Sequence, residues 1–172
     1  MRRVRNGEYI GAVIGTPCTT FSVNRLRADG ERNKGASQVR ARVHGSTHHR
    51  GMPGLLECER QEVERANTMV QRSAEIAHEL WKAGASYVIE NPVSRSDMSD
   101  TRFYQGKWAQ HAPLWIMEEI VQLKRDTRAH TVDFVQCAPP FNGKYQKATT
   151  LMYTADMADL ADLAQMRCTH KT

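Results

Sequence analysis

The residues of this sequence best suited to chemistry are Cys18, Glu90 and Lys147, each of which borders a short apolar segment. A cysteine in its thiolate form is a nucleophile, and a nearby carboxylate can hold or transfer a proton. Open α/β sheets bind ligands in the crevice at the carboxyl ends of their strands. We therefore interpret Cys18 as a candidate nucleophile, the alternative being a small buried apolar residue.

Two predicted strands, with a helix between them, carry Cys18 and Glu90. Residues 10–14 form a β-branched apolar run that ends in a Gly-Thr-Pro turn, and residues 87–89 form another that stops at Glu-Asn-Pro. Apolar residues recur every three or four positions from 57 to 83, which predicts a helix. A strand–helix–strand unit has parallel strands, so both residues are expected at one edge of the sheet. The alternative for Glu90 is an exposed acid before a proline turn.

The rest of the chain predicts further elements of both kinds. They are a helix, a strand, a turn, a second strand that begins near Lys147, and a short C-terminal helix, at residues 114–124, 131–137, 138–144, 146–154 and 156–166. A chain of 172 residues is expected to form a single domain, spanning residues 1–172. The pattern predicts an α/β fold with a Rossmann-like, partly parallel sheet of about four strands and flanking helices.

The positive charge of the chain is concentrated in residues 24–56, which we call the basic flap. This segment holds seven Arg or Lys residues and two acidic ones, in a chain of net charge +5 and pI near 9.2. Its glycines and charge favour a mobile loop that closes on the phosphates of a polyanionic partner, with Arg25, Arg40 and Arg42 among the contacts. A solvated surface insertion is the alternative. Residues 93–113 interleave aromatic and basic side chains, which is typical of base stacking or of a loop packed on its own domain.

The cysteines and histidines predict neither a disulfide framework nor a metal site. The four cysteines form no C-x-x-C pair, and the cluster of His44, His48 and His49 lies in a segment without helical periodicity. No apolar run reaches the length of a membrane span, and the Arg-rich start lacks the apolar part of a secretory signal. We expect a cytoplasmic or nuclear protein without membrane contact.

Three short motifs together resemble those of a known enzyme family. They are Thr-Pro-Cys-Thr-Thr-Phe-Ser at residues 16–22, Glu-Asn-Pro at 90–92 and Tyr-Gln-Lys-Ala-Thr-Thr-Leu at 145–151. Their order resembles that of the cytosine C5 DNA methyltransferases, above all the divergent type found in phages and mobile elements. The resemblance spans about residues 10–154 and implies the second half of a class I methyltransferase fold.

The resemblance implies a role for each matching residue. Cys18 would attack C6 of a flipped cytosine and make C5 electron-rich, while Glu90 would meet the ring nitrogen and the exocyclic amine. Lys147 would hold the Glu90 carboxylate or a phosphate. Four neighbours would line the substrate site or position Glu90: Pro17, Thr19, Asn91 and Pro92.

The cofactor implied by the resemblance is S-adenosylmethionine, but the family's glycine-rich loop for it has no counterpart here. That loop follows an earlier strand, whereas the only G-x-x-x-G spacing near the Cys18 turn lies within a predicted strand. Four alternatives stay open. A partner subunit or a homo-oligomer completes the fold, or the chain is a catalytically degenerate nucleic-acid-binding module, or the Cys18 chemistry proceeds without a methyl donor.

Overall fold

The computed structural model describes residues 1–26, 38–137 and 147–168, and it has an α/β architecture. Four strands form one mixed sheet in the order β1-β2-β4-β3. They are β1 (Gly11–Gly15), β2 (Ser86–Pro92), β3 (His130–Val135) and β4 (Ala148–Tyr153). β1 and β2 are parallel, and β4 is antiparallel to both of its neighbours. The predicted partly parallel sheet of about four strands is confirmed.

Helices flank this sheet. The α-helices are α1 (Arg2–Arg5), α2 (Glu57–Lys82) and α3 (Glu118–Thr127). Short 3₁₀ helices lie at Val23–Leu26, His48–Arg50, Gly106–Trp108 and Leu114–Ile116, and a longer 3₁₀ segment with a kink at Met157 spans Ala155–Gln165. The connection from β1 to β2 contains α2, as expected for the strand–helix–strand unit.

Helix α2 covers one face of the sheet because its apolar residues recur at helical spacing. Its buried side chains contact the sheet residues Tyr87, Ile89 and Met152, while α3 completes the same core cluster. The side chain of Glu59 accepts a hydrogen bond from the Leu56 N–H at the start of the helix. The helix is followed by Gly84 at φ +74°, a left-handed conformation that glycine adopts without a steric penalty.

The opposite face of the sheet is covered unevenly. The 3₁₀ helix at Ala155–Gln165 packs on Val88, Val132 and Tyr153. β1 lies at the edge of the described sheet, and there Val13 remains 80% exposed and Ile10 97% exposed. The outer edge and one face of β1 are therefore open.

The sheet directions bring several chain segments to one edge. The carboxyl ends of β1, β2 and β3 and the beginning of β4 all lie there, because β4 alone runs the other way. Cys18, Glu90 and Lys147 belong to these segments. The predicted shared edge is confirmed for Cys18 and Glu90, and Lys147 joins them.

Several local predictions need correction. Glu-Asn-Pro is the last part of β2 rather than a turn, and its Pro92 lies opposite Thr149 at the end of the ladder. The helix expected at 114–124 begins as a 3₁₀ turn and becomes α-helical only from Glu118. The predicted C-terminal helix is 3₁₀, and the turn at 138–144 lies outside the described residues.

The described part of the basic flap combines a short buried stretch with exposed residues such as Arg42 and His44, and its mobility stays a prediction. Val39, Arg40 and Ala41 are buried. The backbone N–H of Met52 donates to the Val39 carbonyl at 2.9 Å, and that of Arg42 donates to the Gln110 carbonyl at 2.9 Å. Residues 27–37 of the flap lie outside the described residues. Across the described ranges, no helix has both the length and the apolar character needed to cross a bilayer.

We expect Leu80→Ala in α2 to lower the free energy of unfolding by about 3 kcal/mol, because truncation of a buried leucine leaves a cavity. Leu80 is 1% exposed in the core against the sheet. Met69→Ala in the same helix is the control, since Met69 is 46% exposed and should cost roughly 0.5 kcal/mol or less. Urea denaturation of both variants measures the difference, and equal losses would contradict this packing.

Candidate active site

The Cys18 turn follows β1 directly and is anchored in the core by Phe21. The Phe21 N–H donates to the Cys18 carbonyl at 3.0 Å, which closes a tight turn, and the Phe21 ring is 1% exposed. Cys18 itself is partly exposed, between the exposed residues Pro17 and Thr19. The thiol is thus presented at the carboxyl end of β1 by a turn whose far end is buried.

Asn91 fastens this turn to the neighbouring strand. Its Nδ2–H donates to the Thr16 carbonyl at 2.7 Å, and the Thr16 hydroxyl donates to Ser73 Oγ of α2 at 3.0 Å. Asn91 is fully buried, and its Oδ1 is buried without a hydrogen-bond partner in the described part of the chain. Asn91 was predicted to line the substrate site or to position Glu90, and its burial and this hydrogen bond make it a positioning residue for the Cys18 turn.

Glu90 points to the opposite face from Asn91, because side chains alternate along a strand. It lies opposite Gly15 in the parallel register, and its Oε1 accepts a hydrogen bond from Lys147 Nζ at 3.1 Å. The Glu90 and Lys147 side chains are 26% and 50% exposed. Gly15 has no heavy atom within 4 Å of the place a Cβ would take, so the space above this neighbour of Glu90 in the sheet is open.

The structure therefore brings the three predicted catalytic residues to one edge and pairs two of them. Of the two roles left open for Lys147, holding the Glu90 carboxylate is the one that matches the observed ion pair. Pro92 ends β2, where its carbonyl accepts a hydrogen bond from the Trp115 indole N–H at 2.9 Å. Pro92 positions the strand end through this contact.

The prediction that Arg40 contacts DNA phosphates is wrong for this structure, because Arg40 is buried. Its guanidinium lies 4.1 Å above the Phe21 ring, and its Nη1 donates to the His49 carbonyl at 2.6 Å. Burial is the main cause that lowers its pKa to about 10. The Arg40 guanidinium thus packs on the Phe21 ring and bonds to a backbone carbonyl, which stabilises the buried end of the Cys18 turn.

The other two predicted phosphate contacts, Arg25 and Arg42, differ in how exposed their side chains are to a ligand. Arg25 forms a 2.8 Å ion pair with Glu62 of α2, and its side chain is only 15% exposed. Arg42 is exposed, and its Nη1 donates to the Ser96 hydroxyl at 3.2 Å. Of the three predicted arginines, Arg42 is the one whose side chain faces solvent.

Arg42 also borders two neighbouring grooves that the sequence did not predict. One has a volume of about 370 Å³ and runs between α3 and the sheet, where Trp115, Asp133 and Thr150 line it. The other has a volume of about 820 Å³ and is lined by residues of the segments around Val43 and Met98. Burial raises the pKa of the Asp133 carboxyl in the first groove, and the neighbouring carboxylate of Asp100 raises it further.

His111 is a buried residue whose importance the sequence did not reveal. Its Nδ1 accepts the Arg95 N–H at 3.1 Å, which assigns the proton to Nε2, and Nε2–H then donates to the Phe21 carbonyl at 2.7 Å. Burial is the largest cause that lowers the His111 pKa to about 4. His111 thus joins the Cys18 turn to the segment 93–113 as a neutral imidazole, which favours the packing interpretation of that segment.

The glycine-rich loop that the resemblance implies for S-adenosylmethionine has no counterpart in β1. Gly11 and Gly15 are both paired to residues of β2, so neither belongs to a loop that could cradle a ligand. Within the described ranges, no group of three or more His, Cys, Asp or Glu side chains could hold a metal ion.

Comparisons with family models, curated proteins and solved structures find no significant match to this chain.

We predict that the free energy of unfolding falls as the pH drops from about 6.5, the pKa of an unfolded histidine, towards the folded His111 pKa of about 4. Between these pH values the histidine takes up a proton in the unfolded chain but not in the folded one. His111 therefore lowers the free energy of unfolding by roughly 3 kcal/mol across the window. Above the window the stability is fully present. Urea denaturation as a function of pH measures the slope.

His111→Gln should flatten the slope between these pH values, because glutamine retains an N–H for the Phe21 carbonyl but does not titrate. His44→Gln is the matched control, since His44 is exposed. An unchanged slope in His111→Gln would show that other groups cause the acid sensitivity.

Proposed function

We propose that this chain forms the target-base half of an enzyme of the cytosine C5 DNA methyltransferase type. The observation that carries the proposal is the hydrogen bond from Asn91 to the Thr16 carbonyl. It places the Cys18 turn against the strand end that carries Glu90, whose carboxylate is paired with Lys147. Nucleophile, carboxylate and lysine thus lie at one sheet edge, in the order and setting that the resemblance implies.

The proposed chemistry begins with addition of the Cys18 thiolate to C6 of a cytosine flipped out of the duplex. The electron pair of the C5–C6 double bond moves to C5 as Glu90, protonated when the base binds, donates its proton to the ring nitrogen and accepts a hydrogen bond from the exocyclic amine. The proton returns to Glu90 when Cys18 leaves. Lys147 keeps the Glu90 carboxylate oriented. C5 then takes up a proton from water, loses the original one, and elimination of Cys18 restores the cytosine.

A methyl donor requires a further segment, because the glycine-rich loop for S-adenosylmethionine has no counterpart in β1. We propose that a partner subunit, a second copy or another part of the protein supplies it beside β1. The support is the open edge of β1, where Ile10 and Val13 are 97% and 80% exposed. Further parallel strands could extend the sheet there, next to the Cys18 turn.

The proposed partner is DNA, and a smaller set of basic residues than predicted serves it. Arg40 and Arg25 are engaged within the protein. Arg42 is exposed at the mouth of the grooves, and Lys107 and Trp108 lie in an exposed turn with the ammonium 5.1 Å from the indole ring. We expect DNA binding to weaken as salt rises, as for any contact with phosphates.

Exchange of the C5 hydrogen tests the proposed chemistry without a methyl donor. We expect the chain to release tritium into water from DNA labelled at C5 of cytosine, because the covalent adduct makes that position exchangeable. Cys18→Ser should reduce the release to background. Cys58→Ser is the control and should retain full release, since Cys58 is exposed near the start of α2.

Absence of tritium release from every DNA tried, at concentrations where binding is measured, would remove the catalytic proposal for this chain. The nucleic-acid-binding alternative then applies, and the lack of a glycine-rich loop in β1 favours it. Under that alternative, we expect DNA binding that weakens as salt rises. Binding should be unchanged in Cys18→Ser and weaker in Arg42→Gln.

We expect Glu90→Gln to lower the exchange rate by roughly 10²-fold, as for removal of a positioned acid or base. Lys147→Met should cause a smaller loss, because its ion pair with Glu90 is half-exposed and such pairs stabilise by about 1 kcal/mol at most. Single-turnover exchange kinetics measure both variants. A greater loss in Lys147→Met than in Glu90→Gln would contradict the assigned roles.

A further inference from the structure

Two cysteines outside the candidate active site approach each other closely. The Sγ atoms of Cys137 and Cys168 lie 3.0 Å apart, although the residues are 31 positions apart in the chain. Cys137 follows β3, and Cys168 follows the 3₁₀ helix at Ala155–Gln165. Unbonded carbon atoms pack at about 3.5–4.0 Å, so this contact is tighter than ordinary apolar packing.

The surroundings of the two thiols are apolar and hold both side chains in place. Cys137 is 2% exposed in a cluster with Val93, Phe103 and Val135, and Cys168 packs against this cluster while remaining partly exposed. Burial raises the pKa of the Cys137 thiol, and the adjacent Cys168 raises it further. One thiol is therefore accessible to a reagent and the other is poised beside it in the interior.

We propose that Cys137 and Cys168 form an intramolecular disulfide with small-molecule disulfides such as oxidised glutathione as the oxidant. The Cys168 thiolate attacks one sulfur of the oxidant, which forms a mixed disulfide and releases one glutathione thiolate. The Cys137 thiolate then attacks the Cys168 sulfur and releases the second glutathione. The protein loses two electrons and two protons, and the oxidant is reduced to two thiols.

This bond would fasten the C-terminal segment to the end of β3. Residues 138–146 connect Cys137 directly to Lys147, so the bond closes at the base of the segment that leads to the lysine paired with Glu90. The disulfide would then fix the C-terminal segment close to the sheet edge that carries Lys147. The proposal does not depend on the proposed function, since the pair contains neither Cys18 nor Glu90.

Peptide mapping of the full chain tests the pair, because trypsin places every cysteine in a different peptide. Cleavage after Arg and Lys yields peptides 6–25, 51–60, 129–144 and 168–171, which contain Cys18, Cys58, Cys137 and Cys168 respectively. The protein is incubated with oxidised glutathione, denatured, alkylated and digested. We expect a cross-link between peptides 129–144 and 168–171, with Cys18 and Cys58 alkylated.

Thermal unfolding gives a second readout. The cross-link joins residues 31 positions apart. Closing a loop of that length should raise the unfolding midpoint by roughly 10 °C, and dithiothreitol should reverse the rise. Cys168→Ser should abolish both the cross-link and the rise, and Cys58→Ser should retain both. Cys168 is partly exposed, so this variant avoids the risk that Cys137→Ser fails to fold.

Alkylation of Cys137 and Cys168 after oxidation would overturn the proposal and leave them as buried apolar residues. A cross-link that joins either of them to Cys18 or Cys58, or that joins two chains, would overturn it as well.

Discussion

The candidate site depends above all on one buried hydrogen bond, from Asn91 of β2 to the carbonyl of Thr16 after β1. Its removal would leave a buried carbonyl unsatisfied, at a cost of about 1–3 kcal/mol. Ser73 of α2 bonds the Thr16 hydroxyl at the same place, so two strands and a helix converge on the residue that begins the Cys18 turn. The far end of the turn is held by Phe21, between Arg40 and His111. The thiol is thus held from both sides while remaining partly exposed.

Many of the positively charged side chains are engaged within the protein, so the net charge does not measure the charge available to a partner. Arg40 is inside the domain, and Arg25 and Arg50 pair with glutamates of α2 and α3. Other pairs run along α2 at helical spacing, as between Arg72 and Glu75. Exposed pairs of this kind contribute little stability individually. Their effect is to neutralise cations locally, so that the surface available to a polyanion is smaller than the formal charge of +5 implies.

The sequence predicted those parts of the fold that have strong local periodicity. α2 and the four strands were found within a few residues, because burial repeats at helical spacing in the former and β-branched apolar runs mark β1 and β2. The extension of β2 through Pro92 was missed because proline normally interrupts a ladder. Here it occupies the last position of the pairing, where a missing N–H costs little.

Long-range contacts were the part that the sequence could not reveal. The burial of Arg40 depends on an aromatic ring 19 positions earlier and on backbone carbonyls of distant segments. The approach of Cys137 to Cys168 follows from the path of the chain around the sheet, and neither residue is part of a short cysteine motif. The Glu90–Lys147 pair could be predicted from the sequence only because the resemblance had singled out both residues.

The open side of β1 connects the fold to the proposed function. Parallel strands are usually buried on both faces, yet β1 is covered by α2 on one face while Val13 on the other is 80% exposed. β1 also lies at the end of the sheet order, so its outer backbone groups have no neighbouring strand in the described sheet. Under the proposed function, this is the side on which a donor-binding segment would extend the sheet. Such a segment would meet the Cys18 turn at the same edge, so the groups that act on the base and those that bind the donor would face one crevice. Under that proposal, the base site and the donor site would be divided between this chain and the segment that extends its sheet.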